Sequence, residues 1–191
     1  MCRSRFALLA ILLGFCAASD IASADEAAAW TALHAGRHVA LMRHTDAPGG
    51  AGDPPGFRLD DCATQRNLSA KGRADAARIG ARLRSEGIAV ERILSSPWCR
   101  CMDTAMLLKL GPVEAEPTFG NVVVLSDQQQ SLTAGARAVI DQWNGSGILL
   151  VVTHGANIAS LTGISPASGE IVVVRSGSGG SSEPVGRLIP D

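Results

Sequence analysis

Three short segments of this sequence carry an apolar run to a stop on a cation or an imidazole. Val39-Ala40-Leu41-Met42 ends on Arg43-His44-Thr45, a second run leads into Ser95-Ser96-Pro97-Trp98-Cys99-Arg100, and a third ends on Thr153-His154-Gly155. Apolar runs of this length suit buried strands, and the polar, Gly- and Pro-rich sequence after the first suits a loop. In an open α/β sheet, ligands and chemistry gather at the carboxyl ends of the strands. A single Arg-His pair would be read as an ordinary strand end; three segments of one form point to a shared site. Pro97 is placed to start a helix, where its missing N–H costs nothing, so Arg100 falls in the first helical turn. There the guanidinium and the free backbone N–H groups can address one anion together.

The elements that must position these residues follow from pattern. A strand is expected at 37–43, then a long loop over 45–66 whose length and place suggest a substrate-facing role. Ser69 is a fitting N-cap for an amphipathic helix from Ala70 to Glu86, with Ala76, Ile79, Gly80 and Leu83 on its apolar side and Gly87 as its stop. Its arginines, Arg73, Arg78, Arg82 and Arg84, read as a solvated face. Val90–Ser95 is a strand and 113–115 a short extended run. Residues 116–130 are irregular, 131–143 helical, and 147–153 a continuous apolar strand of the parallel-sheet type. A helix at 156–161 and strands at 170–175 and 185–189, around a flexible Gly/Ser turn at 176–182, complete the pattern. The expected fold is a three-layer α/β/α sandwich with a mainly parallel central sheet.

The first 24 residues have the form of a cleaved export signal. Arg3 and Arg5 make a basic start, Phe6 to Ala18 an apolar stretch too short for a comfortable membrane span, and Ala22-Ser23-Ala24 a small-residue cleavage site. One domain is then expected over 25–191, opening with a short Ala-rich helix from Asp25 to Ala35, in an exported and most simply periplasmic protein without stable membrane insertion. The chain has 17 Lys and Arg against 18 Asp and Glu, a net charge of −1, which gives no support for nucleic acid as a partner. Of its five cysteines, Cys62, Cys99 and Cys101 lie beyond the signal. In an oxidising compartment that means one disulfide and one thiol. Cys62 is expected to pair with Cys99 or Cys101, tying the long loop to the element that carries Arg100. Zinc at Cys99-x-Cys101 is disfavoured by the short spacing and by the compartment.

Arg43-His44, the Ser-Ser-Pro-x-x-Arg-x-x-x-Thr-Ala segment ending at Ala105, Asn67-Leu68-Ser69-Ala70-Lys71-Gly72, and Thr153-His154-Gly155 together resemble the signature of the histidine phosphatase superfamily, the phosphoglycerate mutase-like fold. The match runs from about Val39 to Leu161. The resemblance implies that His44 is a nucleophile that becomes a phosphohistidine. It implies also that Arg43 and Arg100 clamp the phosphoryl oxygens, that His154 stabilises the transition state, and that neither a metal nor another cofactor takes part. His34 and His38 match no motif.

The departure from the family lies in the acid. Many members carry a glutamate shortly after the second-arginine helix; the corresponding stretch here, Pro117 to Asn121, offers Asn121. An Asp after the second histidine, used in another branch, is replaced by Gly155. Asp46, Glu116 and Asp127 remain as proton-donor candidates. A mutase would need an efficient acid and base, so the expected activity is a phosphomonoesterase. The sequence is similar to the small exported branch that includes lipopolysaccharide core heptose-phosphate phosphatases, which implies a small phosphorylated substrate such as a phosphosugar of the cell envelope. Two other readings stand beside it: a noncatalytic exported module that keeps the phosphate pocket, and a cysteine-based redox protein using Cys99 and Cys101.

Overall fold

The computed structural model describes residues 16–50, 52–177 and 182–190. Among the described residues, six strands form one mixed sheet: β1 (His38–Arg43), β2 (Val90–Ser95), β3 (Val113–Ala115), β4 (Ile148–Thr153), β5 (Ile171–Arg175) and β6 (Pro184–Leu188), in the order β3-β2-β4-β1-β5-β6. The pairings β1–β4, β2–β4 and β2–β3 are parallel. Those of β5 with β1 and with β6 are antiparallel. Among the described residues, five α-helices accompany the sheet: α1 (Cys16–Ala35), α2 (Ala70–Ser85), α3 (Cys99–Leu107), α4 (Gln129–Asp141) and α5 (Gly155–Thr162).

Alternation along each strand sorts the core into two layers, because successive side chains leave a strand on opposite faces. Ala40, Met42, Leu150, Val152, Ile171 and Val173 pack with α1, α2 and α3. Their immediate neighbours Val39, Leu41, Leu149, Val151, Val172 and Val174 pack with Ala136 and Ile140 of α4 and Ile158 and Leu161 of α5. The sheet is therefore covered on both faces, which is why its central strands read as unbroken apolar runs. Helix α2 presses close to the rest of this layer through glycine: a Cβ at Gly80 would lie 2.0 Å from the Leu108 carbonyl oxygen. The arginines of α2 are spent on surface pairs, Arg73 with Asp103, Arg78 with Asp75 and Arg82 with Glu86.

Three local expectations are corrected. Helix α1 already runs through the described residues from Cys16 and so does not start at Asp25, because the Ala-rich sequence around 22–25 contains no breaker; residues 1–15 of the expected signal lie outside the described residues. Pro97 is not the first residue of a helix: Trp98 is the N-cap of α3, extended at φ −66° and ψ 136°, and Cys99 is the first helical residue. The α3 start is also not open to an anion, since Gln65 Oε1 accepts the Cys99 N–H at 3.0 Å. Of the turn expected at 176–182, residues 178–181 lie outside the described residues.

The loop between β1 and α2 is pinned at several points. Cys62 is bonded to Cys99, and Cys101 is a free, buried thiol. Asn67 Nδ2 donates to the Cys62 carbonyl, and the Ser69 hydroxyl, which caps α2 at the Gly72 N–H, donates to Asp46. The bridge spans 37 positions, and loop-closure entropy for that span is worth about 3–4 kcal/mol. Cys62→Ser is expected to lower the unfolding free energy by about that amount; an unchanged denaturant midpoint under nonreducing conditions would show that the bridge contributes nothing.

Candidate active site

Parallel pairing brings the two histidine motifs together. Arg43 of β1 is in register with Thr153 of β4, and the His44 N–H donates to the Thr153 carbonyl at 2.9 Å. On the other side of β4, the Ser96 N–H donates to the Val152 carbonyl at 2.9 Å. His44, His154 and Ser96 thus leave three adjacent strands at one edge. The imidazole centroids of His44 and His154 are 5.6 Å apart in an edge-on arrangement. Thr104 of α3 ties the edge together: its hydroxyl donates to the Arg100 carbonyl at 2.7 Å and receives the Thr45 N–H at 3.3 Å.

A cavity of about 240 Å³ opens here, lined by Arg43, His44, Arg66, Asn121 and His154 among others. His44 Nδ1 lies 2.8 Å from the Thr45 carbonyl oxygen, which only accepts. Nδ1 therefore carries the proton, and Nε2 is left as the basic nitrogen of the neutral ring. Burial, then the positive charges of Arg100, Arg66 and Arg43, pull the His44 pKa down to about 3. The same causes, led by burial, hold His154 well below the ordinary imidazole range. His154 Nε2 is 2.9 Å from the Ser96 hydroxyl, and its Nδ1 is 3.5 Å from Arg100 Nη2.

Arg43 donates from Nη1 to the Pro166 carbonyl at 2.8 Å and lies over Gly155, where a Cβ would come within 3.3 Å of its Cδ. The buried Nε groups of Arg43 and of Arg100 have no acceptor among the described residues. Arg100 is fully buried, and it does not line the cavity directly. Its Nη1 and Nη2 reach Oδ1 and Oδ2 of Asp53 at 2.7 and 3.2 Å. Arg66 supplies a cation in the cavity wall, steered by bonds from Nε to the Gly52 carbonyl and from Nη1 to the Ala47 carbonyl.

None of the three candidate donors, Asp46, Glu116 and Asp127, lines this cavity. Asp46 accepts from the Ser69 hydroxyl at the start of α2. Glu116 caps a short 3₁₀ turn at Pro117–Phe119 through the Thr118 N–H. Asp127 lies in a separate surface groove with Arg137 and Ser160. Asn121 does reach the cavity, held there because Asn157 donates to the Gly120 carbonyl at 2.7 Å and Thr153 to the Phe119 carbonyl at 2.9 Å. Sequence reasoning passed over Arg66 and Asp53. Arg66 directly precedes the Asn67-Leu68-Ser69 motif, a signal that was within reach; Asp53 had none. Burial pushes the Cys101 thiol up to about 12, so it is a poor nucleophile beside His154.

The buried neutral histidines make a pH prediction. Unfolded, each takes up a proton near its ordinary pKa of 6.5, whereas folded His44 resists protonation down to about 3. Proton uptake by the unfolded chain favours unfolding, so stability is complete above pH 6.5 and is lost as pH falls toward 3. Denaturant midpoints are expected to decline through that window, with a shallower decline in His44→Gln. A flat profile would contradict the neutral, buried imidazoles.

The family description "Histidine phosphatase superfamily (branch 1)" matches residues 39–122. Over that stretch the chain is similar to the histidine phosphatase superfamily. Solved structures share the fold at low identity. The protein histidine phosphatase SixA complexed with tungstate is 22% identical, with 80% of this chain and 97% of that one covered and a TM-score of 0.55. A mycobacterial glucosyl-3-phosphoglycerate phosphatase is 17% identical, covering 72% and 89%, with a TM-score of 0.53. The product of an open reading frame of Mycobacterium tuberculosis is 16% identical, covering 75% and 93%, with a TM-score of 0.54. No curated protein matches the sequence significantly.

Proposed function

We propose that this chain is an exported, metal-independent phosphomonoesterase that works through a phosphohistidine on His44. The observation that carries the reading is the state of His44: a buried neutral ring with Nδ1–H fixed on the Thr45 carbonyl, facing a cavity walled by Arg43 and Arg66. His44 Nε2 attacks phosphorus and the ester oxygen leaves with the bonding electrons. Water then attacks the phosphohistidine, releasing phosphate and restoring the ring. Arg43 and Arg66 meet the phosphoryl oxygens, His154 lies against the developing charge, and Arg100, 3.5 Å from His154, adds its positive charge to the site.

No carboxylic acid lines the cavity among the described residues, so the leaving oxygen takes its proton from solvent. Esters with good leaving groups are the favoured substrates, and a phosphosugar of the cell envelope reacting at its anomeric phosphate would suit this site. Export rests on the sequence pattern of residues 1–24, with the Cys62–Cys99 bridge in keeping with an oxidising compartment. The missing acid is also what favours the second reading, a phosphate-binding module without turnover. Hydrolysis of p-nitrophenyl phosphate in the presence of EDTA separates the two, since that leaving group needs little protonation. Turnover indifferent to EDTA is expected; phosphate binding without turnover would leave the binding module. Fractionation of the producing cells tests export, with the processed chain expected outside the cytoplasm.

A further inference from the structure

Asn121 brings an unengaged donor to the cavity. Its Oδ1 accepts the Val123 N–H at 3.0 Å, and its backbone carbonyl accepts the Val124 and Leu125 N–H groups at 3.1 and 2.9 Å. The side chain cannot be turned over, because the Val123 N–H needs an oxygen and an NH2 group would offer it none. Nδ2 has no acceptor among the described residues. Unlike the Nε groups of Arg43 and Arg100, it is not sealed from solvent. The residue is only 3% exposed and lines the cavity, so the opening is into the cavity. A donor so placed is ready for an oxygen of the substrate.

The two faces of the sheet set that donor across from the nucleophile. His44 continues the row of Ala40 and Met42, on the face covered by α1, α2 and α3, and its ring meets His154, which in turn meets Trp98 of that layer. Asn121 hangs from the other face: Phe119 is buried in the core layer of α4 and α5, and Thr153 and Asn157 hold the carbonyls of Phe119 and Gly120. In phosphoryl transfer the attacking and leaving atoms lie roughly in line on opposite sides of phosphorus. An ester oxygen leaving away from His44 Nε2 therefore departs toward Asn121. We propose that Asn121 Nδ2 donates a hydrogen bond to the leaving oxygen, and that the site takes monoesters whose alcohol part is uncharged and departs as a weakly basic anion, such as a phenol or the anomeric hydroxyl of a sugar. Apart from its arginines and histidines, the cavity is lined by uncharged residues, Val123, Ala156, Ser165 and Pro166 among them, so a charged alcohol would find no partner there. As the P–O bond breaks, phosphorus bonds to His44 Nε2 and the oxygen keeps the bonding electrons. Nδ2 keeps its proton, because an amide is not an acid, and the departing anion is protonated by water. The inference rests on the phosphohistidine reading and adds the residue that meets the leaving group.

The test is kcat/KM for p-nitrophenyl, phenyl and p-methoxyphenyl phosphate, in order of increasing leaving-group basicity, with the wild-type protein, Asn121→Ala and Asn121→Asp. This ratio reports P–O cleavage whatever the rate of the later hydrolysis. Asn121→Ala is expected to lose about tenfold on p-nitrophenyl phosphate and about a hundredfold on p-methoxyphenyl phosphate, since the more basic oxygen accepts the stronger bond. Asn121→Asp keeps an oxygen for the Val123 N–H and loses only the donor, so it carries the test if the turn shifts in Asn121→Ala. At mildly alkaline pH, where its carboxyl is ionised, it is expected to show the same widening gap between the esters. Equal losses on all three esters would overturn the proposal, because the amide would then be meeting a phosphoryl oxygen or only shaping the turn. Unchanged kcat/KM in both variants would overturn it too. A wild-type protein without turnover, or turnover that survives His44→Ala, would remove the phosphohistidine reading and this inference with it; His44-dependent turnover with equal losses would remove this inference alone.

Discussion

His44→Ala is expected to lower kcat for p-nitrophenyl phosphate by at least about 10⁴-fold, the scale seen when a covalent nucleophile is removed. The reason lies in the unique placing of one nitrogen. His44 Nδ1 is committed to the Thr45 carbonyl, leaving Nε2 unprotonated in the cavity. The other imidazole cannot replace it: His154 has Nε2 at the Ser96 hydroxyl and Nδ1 near Arg100. Cys101 is no substitute either, since its thiol is held protonated by burial. Phosphate binding should survive, because Arg43 and Arg66 are steered by carbonyl groups of Pro166, Gly52 and Ala47 and not by His44. A His44→Ala protein with more than about a hundredth of wild-type kcat would end the phosphohistidine mechanism.

The second large effect is on stability. Asp53→Ala strands the guanidinium of Arg100, whose side chain is fully buried, and breaking such a pair costs about 3–5 kcal/mol. Arg100→Ala strands the carboxylate instead, but the two losses are unequal. An arginine stays charged in any protein environment, whereas a lone buried aspartate escapes by taking a proton. Urea unfolding is therefore expected to show Asp53→Ala as the less stable variant, and the deficit of Arg100→Ala to shrink as pH is lowered. Equal losses at all pH values would mean that solvent reaches the pair.

How much of this was legible in the sequence differs from element to element. Strands β1 and β4 were visible because burial on both faces writes an uninterrupted apolar run, whereas β2, with Glu91 and Arg92 exposed, showed only a short one. Ser69 was visible as a cap and Ala76, Ile79, Gly80 and Leu83 as one face, since both signals repeat within a few residues. The start of α3 was misplaced because its N–H partner, Gln65, is 34 positions away, and nothing around Pro97 and Trp98 announces it. Asp53 was invisible for a similar reason: in a Gly- and Pro-rich loop without periodicity, one carboxylate looks like another. The choice between Cys99 and Cys101 was equally out of reach, since positions two apart on a helix differ by about 200° in direction and only the finished loop selects one.

By itself, then, the sequence determined the order and type of the elements, the two-sided sheet, and the arrival of Arg43, His44 and His154 at strand ends. These depend on periodicities and end signals carried by near neighbours. Only the tertiary structure decided that Cys62 meets Cys99, that Arg66 walls the cavity, that the acid candidates point elsewhere, and that Arg100 belongs to Asp53. Each of those pairings lies across the loop from Asp46 to Arg66 or beyond it, and is settled by which charges and donors must be satisfied once the core has closed and water has left.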